Sequence, residues 1–359
     1  MTSAVAPQRP ERVLITGILG QDGAYLARHL LDRGHSVIGL GRRLDDASRR
    51  WRLRHLGVDE AVELIELDLN GVSDPAAELV PLLQATRIDR IVHLAAQSSV
   101  ARSLAEPLLT ADSVGLGAVR LFEAARLMGG LPVLQASSAE ILEVRANGQE
   151  HRPLDEHTPL AARSPYGAAK AFAHLMARVY RSSLATPVSS AILFNHESPL
   201  RGPEFVTAKI VREMVRIRRE LTVGMPEPAP LRLGRLGVLR DWSHARDIVD
   251  GLWRIATQPE ADEYLLASGR LHSVRDFVSA TANRLDLPLH WEGEGLDEVA
   301  RCARTGAIRV CVDAAFYRPD DPDQMPVNLR RTIEALGWQP TVSLEPLIAE
   351  MCDLELQRP

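Results

Sequence analysis

An apolar run at residues 13–16 leads directly into a turn that holds three glycines, and a helical pattern follows at residues 24–33. The glycines are Gly17, Gly20 and Gly23. A strand, a glycine turn and a helix in this order bring backbone N–H groups to a helix N-terminus, where they can bind a pyrophosphate. Turns also need glycine for steric reasons, so it is the position between strand and helix that predicts a dinucleotide-binding βαβ unit.

The alternation of strand and helix continues through the first half of the chain. Such alternation is typical of a parallel sheet with helices on both faces. The strand patterns lie at residues 36–40, 62–67, 91–95, 132–137 and 188–195, and the further helical patterns lie at residues 114–127 and 166–184.

The pattern changes after residue 197. Residues 224–230 are rich in proline and glycine and predict a loop, whereas helices near 247–256 and 273–285 and a strand at 308–312 indicate a smaller lobe. We therefore predict an α/β fold: a Rossmann-like doubly wound parallel sheet with a smaller C-terminal α+β substrate lobe. The predicted divisions are a flexible tail (1–10), a cofactor-binding domain (11–197, with a returning segment near 240–258) and a mainly substrate-binding lobe (198–359).

Composition excludes several classes of protein. The 359 residues are 45% hydrophobic and 25% charged, which is the globular average, and no apolar stretch approaches the roughly 20 residues that span a bilayer. The three cysteines, Cys302, Cys311 and Cys352, have no metal-ligand spacing, so we expect a reduced cytoplasmic protein without a metal or a membrane partner. A net charge of −5 with scattered arginines gives no basic stripe, so we expect no nucleic-acid partner.

Two arginines after the second strand pattern indicate which dinucleotide is bound. Arg42 and Arg43 would neutralise the 2′-phosphate of NADP at the place where an acid would accept from the 2′-hydroxyl of NAD. Two alternatives stay open. The pair can be ordinary surface arginines, or Asp45 or Asp46 can supply an NAD-type acid on a longer strand.

Asp68 and Leu69 directly follow the third strand pattern, where they would meet the adenine edge. Asp68 can equally cap the next turn. The arginine-rich segment 42–54 can serve the cofactor, a neighbouring subunit or both. The sequence leaves these alternatives open.

Tyr166 and Lys170 stand four residues apart in a helical pattern and therefore share one helix face. A tyrosine with a pKa of about 10 acts as an acid or base near neutral pH only beside a fixed cation. The spacing arises easily by chance, but Lys170 and Lys209 are the only lysines among 42 basic residues. An arginine would keep the charge but lose the compact ammonium that reaches ribose hydroxyls and the phenol together.

Ser138 and Glu140 follow the fifth strand pattern, and strand ends in such sheets face the cleft. A hydroxyl there can bind the substrate hydroxyl that is oxidised. A carboxylate two residues on suits abstraction of a proton next to a new carbonyl. The alternative for Glu140 is an exposed loop acid without a role.

Several motifs together resemble the GDP-mannose 4,6-dehydratase family of the extended short-chain dehydrogenase/reductase superfamily, and the resemblance covers nearly the whole chain. The Phe-Asn-His-Glu-Ser-Pro run is the most specific of them. The motifs are Gly17 to Gly23 with its Gln-Asp pair, Leu94-Ala95-Ala96-Gln97-Ser98, Gln135-Ala136-Ser137, Ser164 to Lys170, Ile192-Leu193-Phe194-Asn195-His196-Glu197-Ser198-Pro199, Phe205-Val206-Thr207, Arg240-Asp241-Trp242 and Leu336-Gly337-Trp338-Gln339-Pro340.

The resemblance implies a redox-neutral dehydration of GDP-mannose or a close GDP-sugar, with NADP retained. Tyr166 would take the 4-OH proton, Glu140 the C5 proton, and Glu140 or Ser138 would assist loss of the 6-OH. Cofactor contacts are expected from Gly17, Gly20, Gln21, Asp22, Gly23, Arg42, Arg43, Asp68, Leu69, Leu94, Ala95, Ala96, Ser98, Lys170, His196 and Arg201. Substrate contacts are expected from Ser98, Ser138, Asn195, Lys209, Arg240, Arg318 and Asp321. The resemblance also implies a homodimer or homotetramer.

The chain departs from the family pattern near the substrate and cofactor loops, at Ser99, Leu109, Leu142, Ala208 and Ser243. The chemistry is therefore better supported than the sugar or the base. One alternative is an NDP-sugar epimerase, or a dehydratase of another nucleotide sugar such as a heptose, although an epimerase needs no C5 base. Another is a non-catalytic NADP-binding regulator, which the complete set of catalytic side chains disfavours.

Overall fold

The computed structural model describes residues 9–44, 46, 48–144, 152–225, 227–318, 323 and 326–358. The strands are β1 (Arg12–Thr16), β2 (Ser36–Gly41), β3 (Glu63–Glu66), β4 (Arg90–His93), β5 (Val133–Ala136), β6 (Val188–Leu193), β7 (His196–Glu197), β8 (Leu231–Leu233), β9 (Leu239–Asp241), β10 (Ser243–His244), β11 (Glu263–Leu266), β12 (Leu271–Ser273), β13 (Leu289–Glu292), β14 (Val299–Cys302) and β15 (Ile308–Val312).

The helices begin with α1 in the glycine turn and end with α12 near the C-terminal end of the described chain. They are α1 (Gln21–Leu31), α2 (Trp51–His55), α3 (Pro75–Thr86), α4 (Val100–Ala105), α5 (Pro107–Thr110), α6 (Gly117–Leu127), α7 (Pro165–Ser183), α8 (Val206–Thr222), α9 (Ala245–Ala256), α10 (Val274–Arg284), α11 (Arg330–Leu336) and α12 (Leu344–Gln357). Short 3₁₀ turns cover Leu69–Gly71, Ala139–Ile141 and Gly295–Asp297, and a π-helical segment covers Ala111–Leu116.

Seven strands form one parallel sheet in the order β11-β6-β5-β4-β1-β2-β3. Strand β1 lies inside it, with Thr16 paired to Leu40 of β2 on one side and to His93 of β4 on the other. The strand order reverses between β1 and β4, which is where sheets of this kind open a ligand crevice at their carboxyl ends. The predicted Rossmann-like doubly wound fold is confirmed.

Helices cover both faces of this sheet. On one face, α1 and α9 pack against it through a core that includes Ile15, Leu26 and Leu252. On the other face, α3, α6 and α7 enclose a core that includes Leu14 and Phe122. Because both faces are covered, all four residues of β5 and all six of β6 are buried, as expected of parallel strands.

A smaller α+β unit follows α7 in the chain. It contains a four-stranded sheet in the order β13-β14-β15-β8, packed with α8, α10 and α12 around Met214, Phe277, Val310 and Leu347. Helix α9 and strand β11 return to the parallel sheet from the same half of the chain. The predicted smaller α+β lobe is therefore present, built with more strands than the sequence patterns indicated.

Most predicted elements are present, with small shifts at their ends. The strand predicted at 91–95 ends at His93 because the N–H groups of Leu94 and Ala95 donate to the Thr16 hydroxyl at 3.2 and 3.1 Å. The described residues of 224–230 contain neither helix nor strand, as predicted. The sequence patterns missed α8, α12 and the seventh sheet strand, β11.

Three structural observations bear on the remaining sequence expectations. In the part of the chain that the structure describes, no helix is both long enough and apolar enough to cross a membrane. Cys302, Cys311 and Cys352 are free thiols. The described residues contain no group of three or more His, Cys, Asp or Glu side chains that could hold a metal ion.

Candidate functional site

A cleft of about 900 Å³ opens where the central strands end. Its walls come from the glycine turn, the ends of β4, β5 and β6, helices α7 and α8, and the smaller lobe. The cleft brings together most residues that the sequence assigned to a site. They are Gly17, Gly20, Gln21, Asp22, Gly23, Leu94, Ala95, Ala96, Ser98, Ser138, Glu140, Tyr166, Lys170, Asn195, His196, Arg201, Lys209, Arg240 and Arg318.

Four other predicted residues lie at the ends of β2 and β3, beside the cleft and not in its lining. Arg42 Nη1 is 3.5 Å from Asp68 Oδ2, and Asp68 also accepts a hydrogen bond from the backbone N–H of Asn70, so it caps the following 3₁₀ turn. Arg43 adopts a left-handed backbone with φ of 56°, and the Leu69 side chain is buried in the core. The last predicted residue, Asp321, lies outside the described residues.

Each of the three glycines in the turn is needed for a different structural reason. Gly17 has φ of 73°, and a Cβ there would lie 2.8 Å from the backbone N of Ala95. A Cβ on Gly23 would lie 2.4 Å from the Gly17 carbonyl oxygen, so a glycine at position 23 is what allows α1 to pack closely against the turn. A Cβ on Gly20 would meet only that same oxygen, at 3.1 Å, and Gly20 lines the cleft. The turn therefore leaves room for a pyrophosphate at the N-terminus of α1.

Gln21 and Asp22 tie the glycine turn to the segment that follows β6. The Gln21 side chain donates to the His196 carbonyl oxygen at 3.1 Å and accepts from the Ser198 hydroxyl at 2.7 Å. His196 donates through Nδ1 to the Phe194 carbonyl oxygen at 2.7 Å, and its Nε2 lies 2.9 Å from Asp22 Oδ2. A carbonyl and a carboxylate only accept, so both ring nitrogens donate and the His196 ring is an imidazolium.

The charges of Asp22 and His196 stabilise each other. Burial raises the pKa of Asp22, but the charge and hydrogen bond of His196, with help from Gln21 and Arg201, outweigh it and lower that pKa to about 2. Burial lowers the pKa of His196, yet the Asp22 carboxylate outweighs burial and the net shift is upward. Contact between the glycine turn and His196 therefore favours the charged form of both side chains.

Tyr166 and Lys170 lie in the first turns of α7, which begins after Ser164 accepts a hydrogen bond from the backbone N–H of Gly167 at 3.0 Å. Both side chains are at least nine-tenths buried. Lys170 Nζ donates to the Ala136 carbonyl oxygen at 2.6 Å and lies 5.9 Å from the centroid of the Tyr166 ring. The end of β5 therefore fixes the ammonium next to the phenol, as the spacing predicted.

Burial dominates the acid–base properties of this pair. It raises the pKa of Tyr166 to about 12, although a hydrogen bond with Ser138 acts in the opposite direction. Burial also lowers the pKa of Lys170 to about 8, although the Asp22 carboxylate acts against it. At neutral pH the phenol is therefore protonated and the lysine is a cation.

Ser138 and Glu140 occupy the 3₁₀ turn at the carboxyl end of β5. The Ser138 hydroxyl accepts from the Glu140 backbone N–H at 3.2 Å and hydrogen-bonds Tyr166. The Glu140 side chain is exposed to the cleft, and its charge acts on Tyr166. A Cβ on Gly167 would lie 2.7 Å from the Glu140 carbonyl oxygen, so a glycine in α7 is what allows this turn to approach.

The other wall of the cleft carries the remaining predicted cations. Lys209 Nζ donates to the Arg232 carbonyl oxygen at 2.7 Å and lies 4.0 Å from the centroid of the Phe316 ring. Arg201 Nε lies 3.0 Å from Glu197 Oε2. This part of the cleft wall is thus cationic and aromatic, which suits a nucleotide diphosphate.

A comparison with known families identifies the group to which this site belongs. The family model for GDP-mannose 4,6 dehydratase matches residues 14–351. The chain belongs to the GDP-mannose 4,6-dehydratase family. A GDP-mannose 4,6-dehydratase from Sordaria araneosa is 38% identical over 99% of this chain, which spans 63% of that protein. The human GDP-mannose 4,6 dehydratase is 36% identical over 98% of this chain and 93% of its own length.

A solved structure shows the same fold at lower identity. The dTDP-glucose 4,6-dehydratase of Bacillus anthracis, in complex with NAD, superposes with a TM-score of 0.73 at 17% identity over 96% of each chain. The resemblance of the motifs to the GDP-mannose 4,6-dehydratase family and the predicted fold class are both confirmed.

Several departures from the pattern of the GDP-mannose 4,6-dehydratase family now have a structural setting. Ser99 caps α4 by accepting from the Arg102 backbone N–H at 3.3 Å. Leu142 is buried and forms an isolated bridge with Leu160, and Ser243 is fully buried in β10, which pairs with His196 in β7. Leu109 is 41% exposed on α5. Ala208 lines a second cavity beside the cleft.

Among the cleft residues that the sequence did not assign to the site, three make notable contacts. Arg52, on α2, donates to the carbonyl oxygens of Leu19 and Leu200 at 3.1 and 2.8 Å, and nothing in the sequence distinguishes it from other arginines. Glu197 accepts from the Thr207 hydroxyl at 2.6 Å, and its place in the Phe-Asn-His-Glu-Ser-Pro run was a usable signal. Phe316 stacks under Lys209 without any sequence signal.

Proposed function

We propose that this chain is a nucleotide-sugar 4,6-dehydratase that converts GDP-mannose, or a close GDP-sugar, to the GDP-linked 4-keto-6-deoxy sugar with a retained NADP. The observation that carries the proposal is the position of Ser138, Glu140, Tyr166 and Lys170 around one end of the cleft, in a chain of this family. The glycine turn at the other end fits the pyrophosphate of a dinucleotide.

The first proton transfer belongs to Tyr166. A dinucleotide held by the glycine turn and Lys170 would supply the redox chemistry, namely transfer of a hydride away from C4 of the sugar and back to C6. In its phenolate form, which must first be generated from the protonated phenol, Tyr166 takes the proton of the 4-OH as this hydroxyl becomes a carbonyl. The ammonium of Lys170 and the hydroxyl of Ser138 lower the cost of the phenolate, because one supplies a charge and the other a hydrogen bond.

Glu140 is the proposed base of the elimination step. The new C4 carbonyl acidifies the C5–H bond, and the exposed Glu140 carboxylate accepts that proton. The 6-OH then leaves as water with the proton that Glu140 took, delivered directly or through Ser138. Reduction of the C5–C6 double bond adds a hydride at C6 and a proton at C5, and release of the 4-OH proton from Tyr166 balances this last proton. Tyr166, on α7, and Glu140, on the 3₁₀ turn after β5, would thus act at different positions of the sugar.

The choice of NADP rests on Arg42 and Arg43. Both follow β2, the strand next to β1, where the adenosine ribose of a dinucleotide on this turn would lie. Asp68 pairs with Arg42 at 3.5 Å and orients its guanidinium. A 2′-phosphate would find two positive charges there, whereas a 2′-hydroxyl would need an acceptor.

The two parts of the molecule would bind different ligands. We propose that the parallel sheet, with the returning α9, holds the dinucleotide. The smaller lobe would hold the nucleotide sugar through Lys209, Arg240 and Arg318, together with Asn195 at the end of the parallel sheet. Location in the cytoplasm stays a prediction of the cysteine pattern.

We also propose a homodimer formed by an exposed apolar face on α4, α5, the π-helical segment and α7. This apolar face consists of Leu104, Leu108, Leu109, Leu116, Phe172, Leu175 and Val179, which are 41–85% exposed. Phe172, Leu175 and Val179 form one stripe along α7, and α4 and α5 pack beside it. Contiguous exposed apolar residues of this kind are typical of subunit interfaces.

Product analysis tests the proposed reaction. The purified protein is incubated with GDP-mannose, other nucleotide hexoses and a nucleotide heptose, and mass spectrometry follows the loss of one water with formation of a 4-keto group. We expect GDP-mannose to give this product. A C4 epimer formed without loss of water would establish the epimerase alternative. The absence of product from every sugar would support the alternative of a non-catalytic NADP-binding regulator.

A further inference from the structure

A second cavity, of about 430 Å³, lies beside the cleft and shares Arg52 and Arg201 with it. Its other walls come from Trp51 on α2, from the segment 198–203 before α8, from α8 with Arg212, and from the end of α12 with Glu355 and the following Arg358. Four guanidinium groups therefore face a cavity that contains one carboxylate. None of the residues proposed for dehydration lies in it, apart from the shared Arg201.

The four cations are not all balanced by acids. Arg358 pairs with Glu355 at 2.7 Å, and Arg212 reaches Glu213 only at 3.9 Å. The hydrogen bonds that the structure describes for Arg52 both go to backbone carbonyl oxygens. Burial lowers the pKa of Arg52, and the charges of Arg201 and Arg358 lower it further, against Glu204. A cluster of like charges is stabilised when an anion enters it.

An indole ring fixes two of these cations in place. The guanidinium carbons of Arg52 and Arg358 lie 4.8 and 5.3 Å from the centroid of the Trp51 ring. Stacked guanidinium groups lose little further freedom when they bind a ligand, and their planar donors match phosphate oxygens. Val211 and Met351, both buried, complete an apolar side of the cavity.

We propose that this cavity is a second anion site, which binds the phosphate or diphosphate group of a small metabolite separately from the dinucleotide and nucleotide sugar in the cleft. Guanidinium groups bind phosphate oxygens through two parallel charge-assisted hydrogen bonds. The apolar side leaves space for a part of the ligand beyond its phosphates. Arg52 joins the two sites, because it also holds the backbone of the glycine turn at Leu19.

The test uses inorganic pyrophosphate as the probe and the protein with its cleft already filled. Calorimetry is performed with saturating NADP and GDP-mannose product present, so that the phosphate sites of the cleft are taken. We expect saturable binding, about 10-fold weaker in Arg212→Gln and in Arg358→Gln, because each loses one charge-assisted contact. Arg54→Gln, an exposed arginine on α2 outside the cavity, is the matched control and should bind as the unaltered protein does.

Two results would overturn the proposal: no binding of pyrophosphate to the filled protein, or equal affinity in all three variants and the unaltered protein. A titration with chloride at equal ionic strength should give no saturable signal, and a signal there would also count against a specific site. Dehydration is measured separately on the same protein, so loss of this site and failure of the proposed reaction are distinguishable.

Discussion

His196 Nε2 lies 2.9 Å from Asp22 Oδ2, and this ion pair joins the glycine turn to the segment that follows β6. Asp22 also accepts a hydrogen bond from the Gln21 side chain, and His196 also donates one to the Phe194 carbonyl oxygen. Since the pKa of Asp22 is lowered to about 2 and that of His196 is raised, the folded state holds both charges more strongly than the unfolded chain does. The pair therefore stabilises the folded protein.

Asp22→Asn should lower the free energy of unfolding by on the order of 2 kcal/mol near pH 6, measured by urea denaturation without cofactor. The Asp22 contribution is lost as pH falls from 3.8, the ordinary pKa of an aspartate, through its lowered pKa of about 2. The His196 contribution is lost as pH rises above 6.5 through its raised pKa. The difference between variant and unaltered protein should thus be largest between these limits, and a difference independent of pH would contradict an ionic origin. Asp32→Asn, from an exposed pair with Arg28, should cost about 0.5 kcal/mol or less.

Lys170→Met should stabilise the cofactor-free protein while it abolishes dehydration. Burial lowers the pKa of Lys170 from 10.5 to about 8. The charged lysine is therefore less stable in the folded protein than in the unfolded chain, where water solvates it. The penalty is present below pH 8 and disappears as pH rises from 8 to 10.5. At pH 7 the free energy of unfolding should rise by up to about 3 kcal/mol, and denaturation at pH 10 should show a smaller gain. A loss of stability at pH 7 would show that the bond to the Ala136 carbonyl oxygen outweighs burial.

Glu140→Gln should separate the two proton transfers. The amide cannot accept the C5 proton, whereas Tyr166 still accepts the 4-OH proton, so C4 oxidation should persist and product formation should fall roughly 100- to 10,000-fold. Rapid-mixing absorbance follows the reduced nicotinamide, and deuterium exchange from solvent follows C5. Retained exchange at C5 in this variant would assign the base to another residue. Glu143→Gln is a matched control, because Glu143 lies beyond the 3₁₀ turn and outside the cleft lining.

Arg42→Ala should shift the cofactor preference. Removing one charge-assisted contact to the 2′-phosphate should weaken NADP about 10- to 100-fold and leave NAD nearly unchanged. Fluorescence titration with both dinucleotides measures the ratio. Asp68→Asn is a useful second variant. It removes the 3.5 Å pair with Arg42 but keeps the arginine, so it should weaken NADP binding less than Arg42→Ala does. Equal weakening of NAD and NADP by Arg42→Ala would remove the basis for the NADP assignment.

The sequence predicted the parallel sheet because strands covered on both faces appear as apolar runs, as in β5 and β6. It missed β11, which begins with the acidic Glu263. That carboxylate is buried because Arg178 and Arg181 of α7 bind it at 2.8 and 2.7 Å. The partners lie far away in the chain, so no local pattern could show that a glutamate starts a sheet strand.

The same limit applies to the site. Tyr166 and Lys170 were predictable because one helix turn brings them together. The contact of Asp22 with His196 spans 174 positions, and only the fold creates it. Arg52 lies in the segment 42–54 that the sequence assigned a possible cofactor role, but it could not be distinguished from the other arginines there, because its bonds go to backbone carbonyl oxygens.

The apolar face of α5 and α7 gives the last prediction. Leu108 is 85% exposed, and a proposed dimer would bury it together with Phe172 and Leu175. Leu108→Glu would place an unpaired charge in that interface, which costs several times the energy of one apolar contact, so it should convert dimer to monomer in sedimentation velocity runs. Val223→Glu, at a residue that is 82% exposed at the end of α8 and outside this face, should leave the distribution unchanged. A Leu108→Glu protein that sediments as the unaltered protein does would place the interface elsewhere.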